Sequence, residues 1–164
     1  MRGLLIAAGL FVSGCATGAD VAPTPIPPDF SAPQPVAGYD WFFNATDGSA
    51  SLAFGLAESD DVRIALSCET GSGRLSLMRD IAAEAAPEIV LESGGETERF
   101  PGRSEPSLLS DGQIVTAESP TGLPVFQRFR RLGWLAVWQD GRREPLAPHP
   151  GSAANIERFF AVCG

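Results

Sequence analysis

Few side chains in this sequence are suited to nucleophilic, redox or metal chemistry: there are three cysteines, one histidine and no lysine. The cysteines are Cys15, Cys68 and Cys163, and the histidine is His149. A serine–histidine–carboxylate triad would have to use His149, which stands in Pro148-His149-Pro150. No Gly-x-Ser-x-Gly elbow is present to raise a serine nucleophile, and Gly71-Ser72-Gly73 reads as a turn. Zinc needs ligands clustered at ligand spacing, whereas the nearest acidic pair, Asp60-Asp61, occupies adjacent positions that diverge in a strand or turn. Without lysine the phosphate loop ending in Gly-Lys is impossible. Eleven glutamates leave a carboxylate pair for glycoside cleavage open, with nothing to single out two of them. The expectation is a chain that is not an enzyme and has no cofactor or metal, with a cell-wall hydrolase as an alternative.

Two groupings look instead like recognition surfaces. Arg128, Arg130, Arg131, Arg142 and Arg143 face only Asp140 in their stretch, while residues 15–127 carry five arginines against seventeen acids. A basic hairpin on an acidic body suits an anionic polymer or an envelope partner, although the same arginines could pair with the domain's own carboxylates. Trp134 and Trp138 fall on one face of a strand with Ala136 between them. Spaced indoles can anchor a ligand or partner, or simply be core, since Leu135 and Val137 opposite are equally apolar. The possible binding face is therefore Arg128, Arg130, Arg131, Trp134 and Trp138. The formal net charge of −8 argues against nucleic acid, whose phosphates need clustered positive charge.

The ends of the chain say how such a face is carried. Arg2 precedes an apolar run from Leu4 to Val12, the charged and hydrophobic regions of an export signal. The run is about half of the roughly 20 residues a membrane-spanning helix needs. Val12-Ser13-Gly14-Cys15 resembles the lipobox of bacterial lipoproteins, which implies cleavage before Cys15 and lipidation of its thiol. Two or three acyl chains would anchor stably where one would not. Ala16 after the cysteine implies the outer membrane, facing the periplasm. Residues 15–39 are the lipidated cysteine and a linker bearing Pro23, Pro25, Pro27, Pro28, Pro33 and Pro35. Extended at about 3.1 Å per residue, this linker could reach roughly 70 Å. In an oxidising compartment the remaining Cys68 and Cys163 are expected to form one disulfide, the alternative being two buried thiols.

Residues 40–164 form the expected globular domain, and its dominant period is two. Val62–Glu69, Arg74–Leu77, Glu88–Glu92 and Glu96–Phe100 read as strands joined by glycine turns. Further strands are expected at Ser51–Phe54, Gln113–Glu118, Val125–Arg130, Trp134–Gln139 and Glu144–Leu146, with Asp140-Gly141 as a hairpin turn. Ile81–Ala86 hints at a helical turn stopped by Pro87. After Pro150-Gly151, Ser152 is placed to cap a helix whose Ile156, Phe159, Phe160 and Cys163 share one face. The expected fold is mainly β: a small antiparallel β-barrel or sandwich with one C-terminal helix packed on it.

A wider resemblance rests on Leu66-Ser67-Cys68-Glu69, Gly71-Ser72-Gly73-Arg74, Phe129-Arg130-Arg131-Leu132-Gly133-Trp134 and Ile156-Glu157-Arg158-Phe159-Phe160. In these the domain resembles uncharacterised envelope proteins of alphaproteobacteria, a likeness that implies structure and no activity. Ser93-Gly94 with Glu98-Arg99-Phe100 is loosely similar to the loop and strand of membrane-bound lysozyme inhibitors, here without the tyrosine that family carries. Together these imply a periplasm-facing envelope lipoprotein acting as a binding or structural module, with lysozyme inhibition as an alternative.

Overall fold

The computed structural model describes residues 32–164. The expected export signal, Cys15 and most of the expected linker lie outside the described residues. The first strand, β1 (Tyr39–Thr46), begins where the proline-rich stretch ends. It turns at Asp47-Gly48 into β2 (Ser49–Leu56), with Gly48 at φ +91°. That turn needs a backbone a Cβ would strain, which glycine supplies. β3 (Val62–Glu69), β4 (Arg74–Ile81), β8 (Gln113–Pro120) and the short β7 (Arg103–Pro106) complete a six-stranded antiparallel sheet ordered β1-β2-β3-β4-β8-β7. β5 (Glu88–Ser93), β6 (Glu96–Pro101), β9 (Leu135–Gln139) and β10 (Arg142–Leu146) make a second antiparallel sheet ordered β10-β9-β5-β6. The protein is thus mainly β, in two antiparallel sheets with a C-terminal helix.

Alternation decides which side of each strand is buried. Leu52, Phe54, Ile64, Leu66, Leu75 and Leu77 from the large sheet join Ile89, Leu91, Leu135 and Val137 from the small one in a single core. The helices add its aromatic part. α2 (Ala153–Cys163) buries Ile156, Phe159, Phe160 and Cys163, the face expected from its spacing. α1 (Pro124–Leu132) corrects the strand expected at Val125–Arg130. Proline opens it where a missing N–H costs nothing, and Gly133 closes it at φ +78° with its N–H donating to the Phe129 carbonyl at 2.8 Å. Val125, Phe126 and Phe129 turn inward; Phe129 lies 4.9 Å from Trp41 and 5.9 Å from Phe160, ring centre to ring centre.

Other local expectations shift as well. Ile81–Ala86 forms no helix but holds one turn: Ile81 ends β4, the Ala85 N–H donates to the Ala82 carbonyl at 3.1 Å, and the Gln113 amide donates to the Ala82, Ala83 and Ala85 carbonyls. Ser152 stands at the N-terminus of α2, but its side chain caps no helical N–H. Its hydroxyl donates instead to Asp40, which also accepts the His149 backbone N–H at 3.1 Å, so that β1 is tied to the turn before α2. Cys68 and Cys163 stand at disulfide distance, Cα atoms 5.7 Å apart, joining the end of β3 to the end of α2 across 95 positions.

Side chains tie one sheet to the other. The Trp41 indole N–H donates to the Leu146 carbonyl at 3.2 Å, linking β1 to β10. Arg79 does the same from β4. It occupies an inward position between Leu77 and Ile81 and is only 8% exposed. A buried guanidinium demands partners, and it finds Glu144 at 3.0 Å, Gln139 at 3.3 Å and the Arg63 carbonyl at 3.3 Å.

Candidate functional site

The residues singled out in the sequence do not form one face. Arg128 and Arg130 lie on α1, not on a hairpin, because Val125–Leu132 is helical. Arg128 donates to the Gly94 carbonyl at 3.0 Å and pairs with Glu96 at 3.2 Å, at the β5–β6 turn. Arg130 turns the other way and holds Glu157 of α2 through two hydrogen bonds. These contacts raise the arginine's pKa and lower that of the glutamate, both chiefly through the shared hydrogen bonds. Arg131 is exposed, with no ion pair among the described residues. The expected basic patch is therefore largely neutralised by the domain's own carboxylates.

The two indoles do share a face: the outer surface of the small sheet. There the pairing of β9 with β5 sets Trp138 opposite Val90, and its pairing with β10 sets Trp138 opposite Arg143. Trp134 is 3% exposed and packs with Ala136 and Ala147 in a small second cluster on that side. The Arg143 guanidinium lies 5.2 Å from the centre of the Trp134 ring, within cation–π range. Its other contact is Glu92, which accepts from Arg143 Nε at 2.6 Å and Nη2 at 3.1 Å. Glu92 also accepts the Trp138 indole N–H at 2.9 Å. Burial is the largest single influence on the Glu92 carboxyl and pushes its pKa up. Hydrogen bonds from Arg143 and Trp138, the Arg143 charge and the Gly95 N–H together outweigh it, and the net shift is downward. The carboxylate is held charged, and it fixes the half-buried Trp138 ring from one edge.

Beside that ring is a cleft of about 510 Å³ between the small sheet and the end of β4 with the loop after it. Trp138, Thr97, Arg99, Glu88 and Gln139 line it from the small sheet, and Arg79 and Ile81 from the end of β4. Arg99 pairs with Glu88 at 2.6 Å. Arg79 is paired with Glu144, but its buried Nε–H has no partner among the described residues. Gln139 divides its amide between the cleft and Arg79, accepting from it through Oε1.

The arrangement suits recognition by a rigid aromatic edge and several fixed donors and acceptors. Among the described residues no three histidine, cysteine or carboxylate side chains converge on a metal position. Among the described residues no serine or carboxylate side chain bonds the His149 ring; Nε2 lies 3.2 Å from the Val36 carbonyl. Ser93, in the loop loosely similar to that of lysozyme inhibitors, is fully buried, and its hydroxyl donates to the Trp134 carbonyl at 2.8 Å. It therefore presents nothing outward.

Sequence reasoning counted Arg143 in a basic hairpin rather than beside the indoles, and missed Glu92, Arg99, Arg79 and Gln139. One signal was present: Arg79 interrupts the inward series Leu75, Leu77, Ile81 in β4. A charge at an apolar position of a strand asks for a buried partner. Compared with known proteins, the chain matches no family model, no curated protein and no solved structure.

Proposed function

We propose that this chain is an exported envelope lipoprotein whose folded domain is a non-catalytic binding module. Cys15 carries the lipid, residues 16–38 are the tether, and the domain faces the periplasm from the outer membrane. The anchor is supported by the lipobox-like Val12-Ser13-Gly14-Cys15 after an apolar run, followed directly by a proline-rich stretch that stops where β1 starts. We take the two sheets as layers of a sandwich, because side-chain ties rather than a strand ladder connect them among the described residues.

The observation that carries the binding reading is the preset Trp138 indole. Glu92, itself held by Arg143, fixes it from one edge while a cleft opens beside it. A ring already fixed loses little freedom on binding, which favours affinity. The test of the anchor is the intact mass of the protein extracted from membranes, with and without reductant. Residues 15–164 plus a diacylglyceryl group and an acyl chain, gaining two hydrogens on reduction, is the expected result. An unlipidated mass would remove the anchor and with it the outer-membrane location.

A further inference from the structure

We infer that the cleft beside Trp138 is a binding site for an uncharged saccharide chain. The inference rests on the reading of the domain as a binding module, and names the class of ligand.

Charge is the first argument. Every cation lining the cleft already has its carboxylate: Arg99 with Glu88 at 2.6 Å, and Arg79 with Glu144 at 3.0 Å. Arg143 behind the indole is matched by Glu92 at 2.6 Å. The exposed Asp140 on the rim adds a negative charge that repels anions. A simple anion would therefore meet no unpaired cation, and the one acid at the cleft without an ion pair among the described residues, Asp140, lies exposed at the rim, where salt screens it.

Hydrogen-bonding character is the second. Thr97 and Gln139 each offer both a donor and an acceptor, and the paired guanidinium and carboxylate of Arg99 and Glu88 offer both from one edge. Sugar hydroxyls donate and accept at once, so they match such a lining without requiring net charge. Sugars also present apolar C–H faces, and Trp138 supplies an aromatic surface whose only N–H is taken by Glu92. What that ring has left to offer a ligand is its carbon surface. The floor adds Arg79, more than nine-tenths buried, with one N–H unmatched.

Topology disfavours a peptide. Trp138 sits on β9, whose two edges are occupied by β5 and β10. No backbone ladder is open directly beside the indole for strand addition, the usual way a sheet takes an extended peptide; the open edge on that side is β6, two strands away. The cleft, at about 510 Å³, falls within the roughly 300–1,000 Å³ of small-molecule sites and holds a short oligosaccharide.

Titration calorimetry of the detergent-extracted full chain with cellotetraose and with chitotetraose tests the inference. The expected result is saturable binding of at least one of them, indifferent to salt. Trp138→Ala should weaken it by about tenfold or more, the scale of losing one aromatic anchor. Trp138→Phe should retain most of it, since a ring remains. Thr97 is exposed, so Thr97→Ala leaves the fold intact and should weaken binding severalfold, while Arg131→Ala, outside the cleft, should change nothing. Absence of saturable heat with both sugars would overturn the inference, as would affinity unchanged in both Trp138→Ala and Thr97→Ala. Salt-sensitive binding of dextran sulfate in place of either sugar would overturn it too, while leaving the binding module standing. Sugar binding by a protein whose mass shows no lipid would support the inference and sink the anchor instead.

Discussion

Arg79 of β4 and Glu144 of β10 meet at 3.0 Å across the gap between the two sheets, and each belongs to a wider polar chain. Glu144 also lies 3.8 Å from Arg63, which holds Asp61 at 3.3 Å and donates to the Tyr39 hydroxyl at 2.8 Å. One part of the core is thus closed by charge, and another is filled by the aromatic faces of α1 and α2.

Removing Glu144 should therefore be costly. Glu144→Ala leaves a guanidinium that is only 8% exposed without its carboxylate, and a loss of about 3 kcal/mol is expected. Replacing both partners, Arg79→Met with Glu144→Gln, should recover most of that loss, because the uncompensated charge is gone. Urea unfolding of the three proteins measures both quantities. A single variant as stable as the parent would show that the ion pair does not hold the sheets.

The surface pair Arg130–Glu157 should behave differently. Both side chains are well exposed, at 36% and 57%, and exposed pairs contribute about 1 kcal/mol or less. Arg130→Ala is expected to shift the unfolding midpoint only slightly, and less still in high salt. A loss comparable to that of Glu144→Ala would mean that α1 and α2 depend on this contact rather than on Phe126, Phe129 and Phe160.

Glu92 gives the domain a defined response to acid. Its folded pKa lies below the ordinary value of 4.5, so it contributes stability above that value and loses it as pH falls through the folded pKa. Glu92→Gln should be less stable than the parent near neutrality, and the gap should narrow steadily below about pH 4.5. Denaturation across pH 3–7 measures this, with Trp138 fluorescence as a second readout of the broken indole contact. A gap that stays constant with pH would show that the carboxylate charge is not what stabilises the contact.

The pairing of Cys68 with Cys163 closes 95 positions, for which loop-closure entropy allows a stabilisation of about 4–5 kcal/mol. Cys68→Ser with Cys163→Ser should unfold at lower denaturant by that order, and the parent should match it once reduced. Equal stability with and without reductant would mean that the two sulfurs are not bonded in the folded protein.

With Ser93 buried and its hydroxyl donated to the Trp134 carbonyl, the full chain is expected to leave muramidase activity unchanged at micromolar concentration. Clear slowing of c-type, g-type or i-type enzymes would revive the likeness to lysozyme inhibitors and require a different contact surface.

What depends on near neighbours is legible in the amino-acid order alone. The alternation in Val62–Glu69 and Arg74–Ile81 selects strands and their buried sides, and Asp140-Gly141, both at positive φ, forms the hairpin between β9 and β10. The spacing of Ile156, Phe159, Phe160 and Cys163 selects the buried face of α2. Asp47-Gly48 carried the same hairpin signal for β1 and β2 and went unread. The rest follows from packing between distant parts of the chain. Val125, Phe126, Phe129 and Leu132 recur at helical spacing between Pro124 and Gly133, a local signal that the strand expectation passed over, and their packing on β5, β6 and α2 fixes where the helix lies. Once that segment is helical its arginines point to separate neighbours, and the basic patch dissolves into ion pairs. Glu92, Trp138 and Arg143 meet only because three strands pair in one register. Pairing energies among distant residues depend on distance and burial, and neither exists until the chain has folded.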